Sequence, residues 1–176
     1  MNVHTLANGL PVAVRENTAQ RLATLFDTHH DRLYRLARRL VPSADDALDL
    51  VQETFLRAAN SSKPVPLGKA KEEAWLVRVL INIRRDQWRK REIRSRLEWK
   101  ADDGPRNGPD PESALIAKAS VWRALDGLPP RRRAIVVMHE LEGLSEDAIA
   151  SLLGITRITV RWHLSAGRRD LSKRLQ

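Results

Sequence analysis

The sequence predicts an all-α protein of two small helical domains joined by a flexible linker, and three observations predict it. Apolar residues recur at three- and four-residue steps in segment after segment. No segment sustains the alternation of apolar and polar residues that a half-buried strand requires. A run of Asp, Gly, Pro and Asn without hydrophobic periodicity interrupts the chain past its middle. With 176 residues the chain is long enough for one ordinary domain or two small ones. Domains of roughly 60 residues bury only a modest fraction of their surface, so partners are expected to contribute to working stability. No internal repeat at solenoid spacing is present.

Residues 1–20 form an N-terminal tail in this reading, and the first domain spans 21–97. Leu22, Leu25, Phe26, Leu33, Leu36 and Leu40 share one face of an amphipathic helix that ends at Pro42. Ser43 is placed to cap a second helix, and Asp45 and Asp46 in its first turn complement the helix dipole. Leu48, Val51, Phe55 and Ala58 are its expected apolar stripe. Asn60 to Gly68, with Ser61, Ser62, Pro64 and Pro66, reads as a loop. A third helix resumes near Glu72 and buries Leu76, Val79, Leu80 and Ile83. It then turns strongly basic through Arg84, Arg85, Arg89, Lys90, Arg91, Arg94 and Arg96. Arg78, Asn82, Arg85 and Arg89 fall at helical steps of four, three and four, a polar and basic stripe able to track the phosphates of a single strand. Trp88, beside it, offers a ring for stacking on a base, whereas Trp75 is expected in the core.

The linker is placed at 98–114, where Gly104-Pro105 and Gly108-Pro109 stand, and the second domain at 115–176. Leu115, Ile116, Val121, Trp122, Leu125 and Leu128 restore the helical pattern, and Pro130 is suited to begin the next helix, which holds Ile135, Val136, Met138 and Leu141. After Gly143, Ser145 is placed to cap a short helix containing Ala148, Ile149, Leu152 and Leu153. Gly154 permits a tight turn, and Thr156 is placed to cap the next helix. Helix, short glycine turn, helix is the pattern of a DNA-binding helix-turn-helix. Val160, Leu164 and Leu171 give the second of these helices a buried stripe, leaving Arg157, Ile158, Thr159, Arg161, Trp162 and Ser165 on its outer surface. A guanidinium fork suits the two major-groove acceptors of guanine, which makes Arg161 the candidate base reader and Arg168 and Arg169 candidate phosphate contacts.

Composition narrows the function classes. Lys and Arg number 31 against 22 Asp and Glu, a formal charge of +9 that attracts a polyanion or an anionic membrane surface. No apolar run approaches the roughly 20 residues that cross a bilayer, and the N-terminus does not read as a secretion signal, so a cytosolic protein without membrane insertion is expected. Cysteine is absent, which removes disulfides, thiolate zinc sites and thiol nucleophiles together. His4, His29, His30, His139 and His163 show no paired ligand spacing and are read as surface or packing residues. Asp45, Asp46 and Asp49 spell an Asp-Asp-x-x-Asp pattern like the magnesium motif of prenyl-transferring enzymes, but no second acidic motif accompanies it. No cofactor, metal or catalytic residue is therefore assigned.

Asp-Leu-Val-Gln-Glu-Thr-Phe at Asp49 to Phe55, Ala74-Trp75-Leu76-Val77-Arg78 with Asn82 downstream, and Leu128-Pro129-Pro130-Arg131 ahead of Glu142-Gly143-Leu144-Ser145 occur in order around the linker. In this combination the chain resembles the extracytoplasmic-function sigma factors, from about Leu22 to Leu175. The resemblance implies a non-catalytic specificity subunit of bacterial RNA polymerase. Its first domain, region 2, would bind the polymerase clamp and melt the promoter's minus-ten element; its second, region 4, would read the minus-thirty-five element. By position it assigns clamp binding to Asp49, Leu50, Gln52 and Glu53, with Leu50 expected off the buried stripe, and places Asn82 in a pocket for a flipped base. It also implies an anti-sigma partner. Ala58-Ala59 stands where similar proteins commonly carry an aromatic residue, and Trp162 and His163 replace the small and basic residues usual in their recognition helices. The rival reading is a dimeric regulator that binds duplex DNA unaided, for which the acidic second helix and basic third helix have no use.

Overall fold

The computed structural model describes the backbone of residues 12–61, 63–98 and 113–175, and the side chains of 19–61, 63–94 and 120–175. Among the described residues seven helices follow one another: α1 (Val12–Leu40), α2 (Ala44–Ala59), α3 (Lys69–Glu98), α4 (Ser113–Asp126), α5 (Pro130–Val136), α6 (Glu146–Leu153) and α7 (Arg157–Arg174). A π-helical turn, Val137–Leu141, extends α5. Residues 1–11 of the expected tail, most of the expected linker, and the side chains of Arg96, Leu115 and Ile116 lie outside the described residues.

The punctuation expected from the sequence is present in detail. The Ser43 side chain accepts from the Asp46 N–H at the start of α2, Ser145 from Ala148 at α6, and Thr156 from Thr159 at α7. Pro130 opens α5 in the first turn, where its missing N–H leaves no bond unmade. Two boundaries differ. α1 starts at Val12, about three turns before Leu22, because residues 12–20 contain no breaker and propagate a helix whose first buried side chain among those described is Leu25. α3 starts at Lys69, directly after Gly68 adopts φ +101°.

α1, α2 and α3 pack as a three-helix unit around Leu33, Leu36, Leu40, Leu50, Leu76, Leu80 and Ile83. Phe26, expected in the core, is 42 % exposed and lies at the rim against Phe55, ring centroids 4.9 Å apart. Glu72 ties the unit's end together, accepting from Arg21 at 3.2 Å and from the Gly68 N–H at 3.3 Å and lying 3.1 Å from the ring of buried His29. The His29 contact, opposed by burial and then aided by Arg21 and Gly68, holds the Glu72 carboxyl below its ordinary value. α5, α6 and α7 form the second unit around Ile135, Met138, Ile149, Val160 and Leu164. Gly167 is required there, since a Cβ would meet Val136 Cγ2 at 2.6 Å where α7 crosses α5.

These two units are not separate beads. α3 packs against both α5 and α6, and the buried side chains of the two halves make one continuous core. Glu142 seals the seam. It accepts from both terminal nitrogens of Arg32, at 3.0 and 2.7 Å, and from Arg39 at 3.1 Å. Burial lowers the Arg32 pKa, but the bonds to Glu142 and Glu73 outweigh it and the net shift is upward. Buried Arg133 donates to the Arg39 carbonyl at 2.8 Å and pairs with Asp126.

Candidate nucleic-acid interface

α7 begins at a turn that the backbone could not make with most residues. Gly154 sits in the left-handed region at φ +64°, and the Thr156 side chain then caps the new helix 3.2 Å from the Thr159 N–H. Val160 and Leu164 anchor α7 inward, so Arg157, Arg161, Trp162, Ser165, Arg168 and Arg169 stand exposed, as expected. Thr159 does not join them fully: it is half-buried, and its hydroxyl lies 2.8 Å from that of Thr156, within the cap.

The arginines of this surface are held by acids on neighbouring elements. Glu146 Oε2 accepts from Arg157 Nε at 2.8 Å and from Arg161 Nε at 2.7 Å. These two bonds pull the Glu146 carboxyl below its ordinary range, and the Glu146 bond raises Arg157. The bond to Glu146 uses Nε and leaves the two terminal nitrogens of Arg161, the fork that a base edge would meet, out of that bond on a side chain that is 58 % exposed. Arg168 is held similarly by Glu140, through Nε at 3.0 Å and a terminal nitrogen at 2.7 Å. The Arg132 guanidinium lies over the Trp162 ring, 5.4 Å from its centroid, and the His163 ring meets it edge-on at 4.9 Å. His163 has its pKa lowered by burial and by Arg132 and Arg131.

On α3 the expected stripe is assembled but partly covered. Arg78, Asn82 and Arg85 are half-buried, and Arg89 is exposed. Arg78 donates to the Leu152 carbonyl of α6 at 3.3 Å and lies in van der Waals contact with the position a Gly154 Cβ would take. The buried Nε of Arg85 stands 3.6 Å from Asp86 Oδ1, an ion pair too long to be a hydrogen bond. Trp88 is half-buried in a cavity of about 480 Å³, lined also by Pro42, Arg84, Arg91, Glu92 and Asp126.

Family models for sigma-70 region 2 and sigma-70 region 4 match residues 25–93 and 118–171 respectively. The chain belongs to the extracytoplasmic-function sigma factors of the sigma-70 family. It is 40 % identical over 149 residues to the ECF RNA polymerase sigma factor SigE of Mycolicibacterium smegmatis, covering 81 % of this chain and 57 % of that longer relative. The ECF RNA polymerase sigma factor SigL of Mycobacterium tuberculosis (strain H37Rv) is 31 % identical over 160 residues, with 90 % of each chain covered. Among solved structures, CnrH in complex with the cytosolic domain of CnrY superposes with a TM-score of 0.54 at 25 % identity, covering 88 % of this chain and 87 % of that one. RpoE of Bartonella quintana, in complex with the anti-sigma factor NepR, shares the fold with a TM-score of 0.55 at 24 % identity, covering 91 % and 97 %. The function shared with this family is promoter-specific initiation of transcription.

The second helix of the sigma factor corrects one expectation. Leu50 is wholly buried, not off the buried stripe, while Leu48 is 41 % exposed. The inward face of α2 is Ala47, Leu50, Val51, Thr54 and Phe55, and Thr54 belongs to it because its hydroxyl donates to the Leu50 carbonyl at 2.7 Å. A polar residue satisfied by its own helix is invisible to an apolar count, and the stripe inferred without it was rotated by part of a turn. The outward face therefore carries Asp45, Leu48, Asp49, Gln52 and Leu56, with half-buried Glu53 paired to Arg57 at 3.0 Å. Leu48 and Leu56 are the apolar members that sequence reasoning missed. Glu140, Glu142, Glu146 and Arg132 were missed as well, since each acts on residues distant in sequence. The Asp-Asp-x-x-Asp pattern is divided in space: Asp46 accepts from the Ser43 hydroxyl at 2.7 Å while Asp45 and Asp49 face outward.

Proposed function

We propose that this sigma factor is a non-catalytic adaptor that works as a two-point reader along promoter DNA. The exposed face of α2, with Asp49, Gln52, Glu53, Leu48 and Leu56, docks on the clamp of bacterial core RNA polymerase. Arg78, Asn82, Arg85, Trp88 and Arg89 of α3 capture the unpaired minus-ten strand, Asn82 receiving the extruded base. α7 enters the major groove of the minus-thirty-five element, where Arg161 reads a base, Arg157, Trp162 and Ser165 flank it, and Arg168 and Arg169 meet phosphates. Thr159 contributes by fixing the start of α7. The observation that supports this reading most is the pairing of a capped helix-turn-helix with a basic stripe on a separate helix, in a chain matched by both family regions.

Strand capture by α3 requires that α6 leave Arg78, so we infer that the two halves separate when the factor docks on polymerase and DNA. An anti-sigma protein, as NepR is in the complex with RpoE, is the expected regulator, and the cytosol, where polymerase works, the expected location. No helix among the described residues is long and apolar enough to cross a membrane. Reconstitution with bacterial core polymerase and mapping of transcript starts across the host genome tests the proposal: discrete starts with a shared upstream motif are expected. Tight sequence-specific binding of duplex DNA by the free chain, with no association with core polymerase, would establish the independent-regulator reading in its place.

A further inference from the structure

The first turns of α7 display two large apolar side chains. Ile158 is 78 % exposed and Trp162 is 56 % exposed. They stand four residues apart and so share one face of the helix. Fraying does not explain this, because Thr156 caps the helix and Val160, between them, is fully buried. Nor is the indole loose: Arg132, itself anchored on Asp170, lies over its face, and His163 closes one edge. Single exposed hydrophobic residues are ordinary, but a pair at helical spacing on a capped basic helix, with the indole held by its neighbours, is arranged for something to cover it.

Charge decides what covers it. Arg157 and Arg161 border the pair, and Arg168 and Arg169 continue the same helix, so the partner is a polyanion that also presents apolar groups. In the major groove of duplex DNA, the apolar group on a base edge is the C5-methyl of thymine. We propose that Ile158 and Trp162 read thymine methyl groups in the upstream promoter element, next to the base that Arg161 contacts. This rests on α7 being the recognition helix. The upstream element of this factor then contains at least one thymine, on either strand, whose methyl group contributes to binding.

The test uses the full chain assembled with bacterial core polymerase, and as probe a duplex enriched by that complex from a randomised pool. Each thymine of the upstream element is replaced in turn by deoxyuridine, which removes one methyl group and leaves every hydrogen-bonding group in place. At one or two positions binding should weaken by about fourfold, the worth of burying one methyl. Both Trp162→Ala and Ile158→Ala alter exposed side chains and should fold normally, as circular dichroism would verify, and at least one should make the complex indifferent to the same methyl. Absence of any deoxyuridine-sensitive position, or sensitivity that survives both substitutions, overturns the proposal. Arg161→Ala separates this inference from the reading beneath it. If that variant loses base preference while deoxyuridine is silent, α7 reads DNA without the apolar pair; if neither change affects binding, the recognition-helix reading fails too. Weakened assembly of Trp162→Ala with core polymerase, with deoxyuridine silent, would make the face a protein contact and also overturn the proposal.

Discussion

The two helices proposed to meet DNA stand in opposite conditions. α7 presents its arginines to solvent, already oriented by Glu146 and Glu140, whereas α3 has its stripe half-covered and Arg78 bonded to the α6 backbone. A duplex has a fixed shape that a preformed surface can match. A single strand exists only after melting, and its binding surface is needed only then. The difference teaches that one arrangement can keep the duplex reader ready while the strand reader stays closed, with Glu142, Arg32 and Arg39 at the closure.

Removing the closure should have the largest effect. Glu142→Ala strands two arginines at the seam. Arg32 keeps Glu73 and the Arg39 side chain is 35 % exposed, so the expected loss is about 2–3 kcal/mol, below that of a fully buried pair. Chemical denaturation would measure it, and small-angle scattering should show a larger radius; an unchanged radius would mean that Glu142 does not hold the halves together. Asn82→Ala comes next and should slow transcription from duplex promoters roughly thirtyfold, while a pre-melted promoter is much less affected. Equal impairment on both templates would remove Asn82 from strand capture.

On the open side of the comparison, Arg161→Ala should weaken upstream-element binding by about tenfold, within the roughly 1–3 kcal/mol of a bidentate base contact, and relax preference at one base pair. A uniform loss on all sequences would make it a phosphate contact. Gly154→Ala touches both sides, since the turn precedes α7 and adjoins Arg78. Its Cβ meets only ordinary contacts, so the cost is the left-handed backbone at φ +64°, about 1 kcal/mol in thermal unfolding. The smallest effect is one of pH. The folded-state pKa of Glu72 is depressed, so its contribution to stability is complete above the ordinary value near 4.5 and is lost as pH falls through the lower folded value. Glu72→Gln should flatten that acid limb in a stability-against-pH series; an unchanged acid limb would show that the Arg21 and His29 contacts add nothing.

Much of this was legible in one dimension because its causes are local. Ser43, Ser145, Thr156, Pro130 and Gly154 act within one helical turn of themselves, and each was found in its expected place. The outer face of α7, half-buried Thr159 apart, followed from Val160 and Leu164 by the helical repeat. α2 was misread by part of a turn because buried Thr54 resembles a surface residue until its bond to Leu50 is seen. Phe26 failed in the opposite sense, an apolar residue left at a rim.

The amino-acid order by itself determined the helices, the capped ends among them and most of the outward set on α7, since capping, turn conformation and amphipathic spacing are decided within a few residues. It also identified the family, through motifs in a set sequence. Only the tertiary structure decided that Glu146 orients Arg157 and Arg161, that Glu142 joins halves more than 100 residues apart, and that α6 covers Arg78. Those contacts depend on how packed helices bring distant charges within hydrogen-bonding range, and spacing along the chain holds no record of that distance.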